Sequence, residues 1–283
     1  MTAADQAPAV HVRGLSKSYG RLAAVRDVDL DVAYGEIVAI LGPNGAGKST
    51  TIEILEGHRT RDAGQVRVLG EDPGTADRQW RAKIGIVLQE ASDFGVLTVA
   101  ETVQMFRQCY GRARAADDVL DLVGLAATAD SRVRTLSGGQ RRRLDVALGI
   151  IATPELLFMD EPTTGFDPEA RRQFWDLIRL LAADGTTIVL TTHYLEEAAT
   201  LADRVAVIAG GRVVAVDTPE RLTAQANSVA TVRWTEHGET RVVETDRPTE
   251  FIRTRSGDGT EMTDLTVTRP TLEDAYLTLI GQP

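Results

Sequence analysis

The chain has 283 residues, of which 43% are hydrophobic and 25% charged, proportions that exclude a largely disordered chain, a collagen and a disulfide-rich scaffold. The net charge of -10 lacks the basic excess of a nucleic-acid binder, so we expect no nucleic-acid partner. With one cysteine, no signal-peptide pattern and no apolar run near the roughly twenty residues of a membrane span, the sequence predicts a soluble, cytoplasmic protein.

Along the chain, short β-rich segments alternate with helical ones. Apolar runs such as Ile37–Leu41, Leu156–Met159 and Thr187–Leu190 predict strands that are covered on both faces. The alternation predicts an α/β fold with a mainly parallel core sheet. From about residue 91 to residue 153 only helical patterns occur, so we expect a helical insert there.

The pattern changes near Asp217-Thr218-Pro219. We therefore expect a first domain over residues 1–217 and a small C-terminal α+β domain over residues 218–283. Its predicted elements are strands near Ala230–Trp234, Thr240–Glu244 and Leu265–Thr268, followed by a helix from Leu272 with one apolar face.

A glycine-rich loop joins the predicted strand Ile37–Leu41 to a helix. The loop and the helix start read Gly42-Pro43-Asn44-Gly45-Ala46-Gly47-Lys48-Ser49-Thr50. Glycines let backbone N–H groups converge on an anion, the helix N-terminus adds its dipole, and Lys48 adds a point charge. Ser49 supplies a hydroxyl for Mg²⁺. The pattern predicts a nucleotide-binding site with Mg²⁺.

Two carboxylates follow the buried run Leu156–Met159. Because ligands of open α/β sheets bind at the carboxyl ends of the strands, Asp160 and Glu161 are expected at the nucleotide. We expect Asp160 to hold Mg²⁺ and Glu161 to act as the general base on the water that attacks the γ-phosphate.

A second candidate anion site follows the predicted insert. It consists of a small-residue helix start, Ser137-Gly138-Gly139-Gln140, preceded by Leu136. One nucleotide does not need two phosphate cradles in the same chain, so we expect this turn to complete the site of another subunit. With this motif the sequence resembles the ATP-binding cassette (ABC) family, specifically the nucleotide-binding subunits of ABC transporters.

The resemblance extends over about residues 10–217 and implies a P-loop cassette with an N-terminal antiparallel β part, which binds ATP with Mg²⁺. It implies that Tyr19 stacks on adenine, Gln89 senses Mg²⁺ and the attacking water, Asp167 communicates across a dimer and His193 contacts the γ-phosphate. The implied catalytic set is Glu161, His193, Gln89 and Lys48, and the implied metal set is Ser49, Gln89 and Asp160.

The segment Arg269-Pro270-Thr271-Leu272-Glu273-Asp274-Ala275-Tyr276-Leu277 resembles the ending of bacterial drug-efflux ATPases of the daunorubicin-resistance type. The resemblance implies an exporter subunit on the cytoplasmic face of the membrane, working as a homodimer with a separately encoded multi-span permease. An importer subunit and a soluble ABC ATPase in translation or DNA maintenance remain open. We expect exposed apolar residues such as Phe94 and Val96 to contact the permease, and at least two of the three arginines Arg141–Arg143 to be solvated.

Overall fold

The computed structural model describes residues 7–87, 94–226, 229–257 and 262–281. Its contacts divide the chain into two compact units, Met1–Val216 and Asp217–Pro283. No helix within the described ranges is both long and apolar enough to cross a membrane.

The first unit begins with a three-stranded antiparallel sheet. Its strands, in the order β2-β1-β4, are β1 (Val10–Tyr19), β2 (Leu22–Val32) and β4 (Ala63–Val68). The apolar residues of β2 alternate with polar ones, and Val28, Leu30 and Val32 are buried. Their burial joins this sheet to the main hydrophobic core, and a fully buried side chain of this size stabilises a fold by about 1.5–3 kcal/mol.

The central sheet has six strands in the order β5-β6-β7-β3-β8-β9. They are β3 (Ile37–Leu41), β5 (Ile84–Val87), β6 (Leu156–Asp160), β7 (Thr187–Thr192), β8 (Arg204–Ala209) and β9 (Arg212–Asp217). The neighbours from β5 to β8 pair in parallel, which confirms the mainly parallel core sheet. This order places the carboxyl ends of β6, β7 and β3 side by side.

Helices cover the sheet and form the insert. They are α1 (Lys48–Leu55), α2 (Arg78–Arg81), α3 (Val99–Arg107), α4 (Ala116–Leu122), α5 (Gly138–Ile150), α6 (Pro168–Ala183) and α7 (Leu195–Leu201). Between residues 94 and 153 the described chain contains α3, α4, α5 and short 3₁₀ turns but no strand, so the helical character of the insert is confirmed.

The second unit contains an antiparallel sheet in the order β11-β10-β12, formed by β10 (Ala230–Glu236), β11 (Glu239–Thr245) and β12 (Thr263–Thr268). Its helices are α8 (Pro219–Ala226), α9 (Pro248–Ser256) and α10 (Leu272–Gly281). The small core packs Val232, Trp234 and Met262 against Phe251 and Ile252 of α9. Neither α8 nor α9 is predicted from the sequence, because both helices are short and largely polar.

Candidate functional site

The phosphate loop lies between β3, which is buried along its whole length, and α1. Two of its glycines are required by the fold of this chain. A Cβ on Gly42 would lie 2.3 Å from the carbonyl oxygen of Ile208, and one on Gly47 would lie 2.3 Å from that of Ala24. Gly47 also has a φ of +102°, which side chains rarely adopt. The loop therefore packs so closely against the backbone of β8 and β2 that only glycine fits at these two positions.

The remaining loop residues fit this shape. Gly45 occupies the left-handed region at φ +78°, and Ala46 is buried against the core, whereas Pro43 and Asn44 are exposed. Thr50 is half-buried in the first turn of α1.

Lys48 is 4% exposed, and its ammonium group lies in the curl of the loop. Its Nζ donates to the carbonyl oxygens of Gly42, at 2.9 Å, and Pro43, at 3.2 Å. The same nitrogen is 3.7 Å from Oε1 of Glu161. A buried cation of this kind is paired and hydrogen-bonded, and it gives the loop a positive charge suited to a phosphate group.

Ser49 and Asp160 meet where α1 begins and β6 ends. Oγ of Ser49 donates to Oδ1 of Asp160 over 3.4 Å, and the hydroxyl of Thr191 donates to the same oxygen. Mg²⁺ prefers hard oxygen ligands and usually takes one or two from the protein, with the others from phosphate and water. The adjacent hydroxyl and carboxylate fit a magnesium ion at this position.

Glu161 has a backbone conformation that is unusual for a non-glycine residue, with a φ of +45°. Such left-handed geometry costs about 1–3 kcal/mol and persists only where the surroundings enforce it. Its N–H donates to Oγ1 of Thr191, at 3.0 Å, at the end of β7. The carboxylate is held between Lys48, the hydroxyl of Thr164 at 3.3 Å and Nδ1 of His193 at 3.2 Å.

His193 follows β7 directly and is 35% exposed at its side chain. Its ring contacts that of Tyr194 at a tilt of 39°, with ring centroids 4.1 Å apart. The structure therefore brings together Lys48, Ser49, Asp160, Glu161 and His193 because the parallel order β6-β7-β3 places their strand ends next to one another.

The turn that begins α5 has a different character. Ser137 caps the helix: its hydroxyl accepts from the N–H of Gln140 at 3.2 Å, and Gln140 Oε1 accepts from the N–H of Ser137 at 3.0 Å. Ser137 and Gly138 are exposed. None of the hydrogen bonds found in the described ranges joins this turn to the phosphate loop. The structure thus does not bring Ser137–Gln140 to the other site residues within one chain.

The two outlying predicted residues have clear local contacts. Tyr19, at the end of β1, is 41% exposed, and its ring lies near the charged ends of Lys17 and Arg59. Asp167 caps α6 and accepts from the N–H groups of Glu169 and Ala170 at 3.0 and 2.9 Å. Their roles toward adenine and across a dimer stay predictions.

Gln89 lies outside the described residues. Close to it in sequence, Val96 is 74% exposed, as expected for a contact with a partner. Phe94 differs from the expectation: it is half-buried because it packs edge-on against Phe106, with ring centroids 5.4 Å apart.

Sequence reasoning missed two buried charged residues near Glu161. Arg142 is 7% exposed and donates to backbone carbonyls of the turn after β6, and Glu197 is fully buried beneath the same turn. Burial lowers the pKa of the Arg142 guanidinium, while the carboxylates of Asp145, Asp160 and Glu197 act in the opposite direction. Arg141 and Arg143 are half-buried, so the three arginines are less solvated than expected.

Comparison with known proteins agrees with this geometry. The ABC transporter family model matches residues 25–164. The daunorubicin/doxorubicin resistance ATP-binding protein DrrA of Streptomyces peucetius is 47% identical over 225 residues, which cover 78% of this chain and 68% of that protein. The Nod factor export ATP-binding protein I of Rhizobium sp. (strain N33) is 42% identical over 219 residues, covering 76% and 72%.

Among solved structures, the fold is similar to that of the ATP-binding cassette MJ0796, determined as a dimer in a post-hydrolysis state with ADP and Pi. The TM-score is 0.66 at 27% sequence identity, and the match covers 74% of this chain and 98% of that one. The chain therefore belongs to the ABC family, as an ATPase subunit of a transporter.

Proposed function

We propose that this chain powers an ABC exporter. Two copies bind two ATP molecules between them, and their closure drives a separately encoded membrane permease from its cytoplasmic face. Support for export comes from the two relatives, one named for drug resistance and the other for export, and from the resemblance of the C-terminal segment to drug-efflux ATPases.

In this proposal the phosphate loop and Lys48 hold the β- and γ-phosphates. Ser49 and Asp160 hold Mg²⁺, which, when bound, offsets negative charge on the phosphates. Glu161 accepts a proton from the water that attacks the γ-phosphorus as the bond to the β–γ bridging oxygen breaks. His193, 3.2 Å from Glu161, and Thr164 keep that carboxylate oriented.

One observation carries the shared site: the glycines at the start of α5 are not explained by their own chain. A Cβ on Gly138 would meet no described atom within 4 Å, and one on Gly139 would meet only Cβ of Ala170 at an ordinary 3.8 Å. Glycine is a poor helix former, by about 1 kcal/mol relative to alanine. Two glycines at an exposed helix N-terminus fit close approach of an anion from outside the chain, and the nucleotide of a second copy supplies that anion.

The shared site also accounts for how the proposed dimer closes and opens. A γ-phosphate that contacts both copies binds the closed dimer better than ADP does, so ATP favours closure by its differential affinity. Hydrolysis removes that contact, and the dimer opens. A permease attached to both copies would move with them.

Mixing two defective chains tests the shared site. Lys48→Ala disables the phosphate loop, and Gly139→Asp disables the turn Ser137–Gln140 at the start of α5, here called the glycine turn. Each variant alone should therefore hydrolyse almost no ATP. A mixed dimer, isolated through two different affinity tags, contains one site in which both halves are intact. We expect ATPase activity to return in the mixed dimer, and activity no higher than that of either variant alone would contradict the proposal.

The partner is tested separately by purifying the tagged chain from membranes of its host. The proposal predicts that a multi-span membrane protein copurifies and that the pair exports a compound in an ATP-dependent manner. Recovery with a periplasmic-type binding protein and a permease would instead indicate import.

A further inference from the structure

The turn after β6 carries the general base in a strained conformation, and something must hold it. Glu161 has a φ of +45°, and the next residues, Pro162 and Thr163, lead the chain away from the sheet. A strained conformation persists only where neighbouring groups fix it from several sides. Two buried charged side chains contact this turn from two different helices.

Arg142 fixes the turn from α5, the helix that begins with the glycine turn. Its Nη2 donates to the carbonyl oxygen of Asp160 at 2.9 Å, and its Nε donates to that of Pro162 at 3.0 Å. The two bonds lie on either side of Glu161 in the sequence, so the guanidinium fixes the backbone that bends at the general base.

Glu197 fixes the turn from α7, the helix that follows His193. Its side chain is fully buried, and Oε1 accepts from the hydroxyl of Thr163 at 2.8 Å and from the indole N–H of Trp175 at 3.3 Å. Its Oε2 has no hydrogen-bond partner in the described part of the chain. A buried carboxylate with one unsatisfied oxygen is costly for a fold, so helix packing alone does not account for it.

We propose that Glu197 is a positioning residue for ATP hydrolysis. By accepting a hydrogen bond from the Thr163 hydroxyl, Glu197 fixes the turn that orients the Glu161 carboxylate. The same bond connects that turn to α7, the helix that follows His193. Glu161 and His193, which come from different strands, thereby keep a fixed relation to each other. This inference rests on the proposed role of Glu161 as the general base.

A purely structural role makes a different prediction, and the chain offers a matched pair of variants to separate the two. Thr163→Val and Trp175→Phe each remove one hydrogen bond to the same oxygen of Glu197. Thr163 belongs to the catalytic turn, whereas Trp175 lies on α6 and is 5% exposed in the core. Both variants should lower the thermal unfolding temperature, and Trp175→Phe should do so at least as much because it also removes buried volume.

The experiment measures steady-state ATPase kinetics, ADP affinity and thermal unfolding of the full chain for these variants. Thr163→Val should lower kcat about tenfold or more, since small misplacement of a catalytic group is costly, while KM for ATP and the ADP dissociation constant stay within about twofold. Trp175→Phe should retain kcat within about twofold. Thr163→Ser, which keeps the hydroxyl that Thr163→Val removes, should have most of the wild-type rate.

The positioning role is contradicted if Thr163→Val keeps the wild-type kcat, or if kcat falls equally in Thr163→Val and Trp175→Phe. Glu161→Gln serves as the reference variant, because it distinguishes failure of the general-base role of Glu161 from failure of the positioning role of Glu197. If Glu161→Gln retains full turnover, the proposed role of Glu161 has failed. If Glu161→Gln is inactive and Thr163→Val is not impaired, only the role of Glu197 has failed.

Discussion

In the proposed function, the phosphate loop and the glycine turn at the start of α5 both face an anion, but the structure builds them differently. The phosphate loop is completed within the chain: two of its glycines avoid contacts of 2.3 Å with the backbone of β8 and β2, and its lysine is buried and bonded to loop carbonyls. The glycine turn is exposed at Ser137 and Gly138 and is capped by Ser137 and Gln140, and a Cβ on either glycine would meet no described atom closer than 3.8 Å.

This difference separates what a residue does for its own fold from what it does for a partner. Loop glycines such as Gly42 are needed to fold one chain, whatever else they do. No described contact of the chain requires glycine at position 138 or 139, so in the proposed function both glycines serve a partner outside the chain. Alanine at a loop glycine should therefore lower the stability of the fold, whereas alanine in the glycine turn should lower turnover and leave stability almost unchanged.

The largest effect is expected at the general base. Glu161→Gln keeps the size of the side chain but removes the proton acceptor, so kcat should fall about 10²–10⁴-fold. ATP and ADP affinities should change little because the loop and Lys48 remain intact. Rapid-quench or coupled ATPase assays measure the rate, and nucleotide titration by fluorescence measures the affinity. A rate within a few-fold of wild type would remove Glu161 from its role.

An intermediate effect is expected from alanine in the glycine turn. Gly139→Ala should lower turnover about tenfold or more, because the added methyl group intrudes where a partner's nucleotide approaches. The same change should leave the free energy of unfolding unchanged or raise it by up to about 1 kcal/mol, because alanine favours helix.

Gly42→Ala is the counterpart in the phosphate loop. Its Cβ meets a backbone oxygen, so urea unfolding should show a loss of about 1–3 kcal/mol of stability. The comparison of the two regions breaks down if Gly139→Ala destabilises the chain as much as Gly42→Ala does.

The smallest effect is a pH dependence of stability in the helices that follow the two regions. Burial, together with Asp160 and Glu53, raises the pKa of Glu56 at the end of α1 to about 8, and burial raises the pKa of Asp145 on α5 to about 6. Nδ1 of His58 lies 3.2 Å from Glu56 Oε2.

The folded chain thus keeps these protons at pH values where the unfolded chain has lost them, and stability falls as the pH rises through this window. Between pH 6 and pH 7 the loss from Glu56 should be about 1 kcal/mol. Glu56→Gln should remove this loss of stability. Asp145→Asn should instead flatten the dependence of the free energy of unfolding on pH below about pH 6. An unchanged profile in Glu56→Gln, measured by urea unfolding from pH 5 to pH 8.5, would contradict the assignment.

Much of the fold and the core of the site could be predicted from local sequence. The apolar runs of β3 and β6 are continuous, which predicts buried strands. Each run is followed by residues whose side chains suggest a role, Lys48 and Ser49 after β3 and Asp160 at the end of β6. The eleven-residue strand β2 was not predicted, although Val28, Leu30 and Val32 alternate with polar residues as strands do.

The buried charges could not be predicted, because only tertiary contacts decide their environment. Arg142 stands among three consecutive arginines, and Glu197 follows another glutamate on a short helix, so both look like solvated surface residues. The structure buries one under the turn after β6 and the other against Thr163 and Trp175. Sequence patterns show which helix face is apolar but not which polar residue is enclosed by a neighbouring loop.

The most direct test of the account is the mass of Glu161→Gln in solution with and without nucleotide, measured by sedimentation velocity at low micromolar protein. The account predicts a dimer with ATP and Mg²⁺, a monomer with ADP, and a monomer in both when Gly139→Asp is added. A Glu161→Gln chain that binds ATP yet stays monomeric, while the wild-type chain hydrolyses ATP under the same conditions, would contradict the shared site.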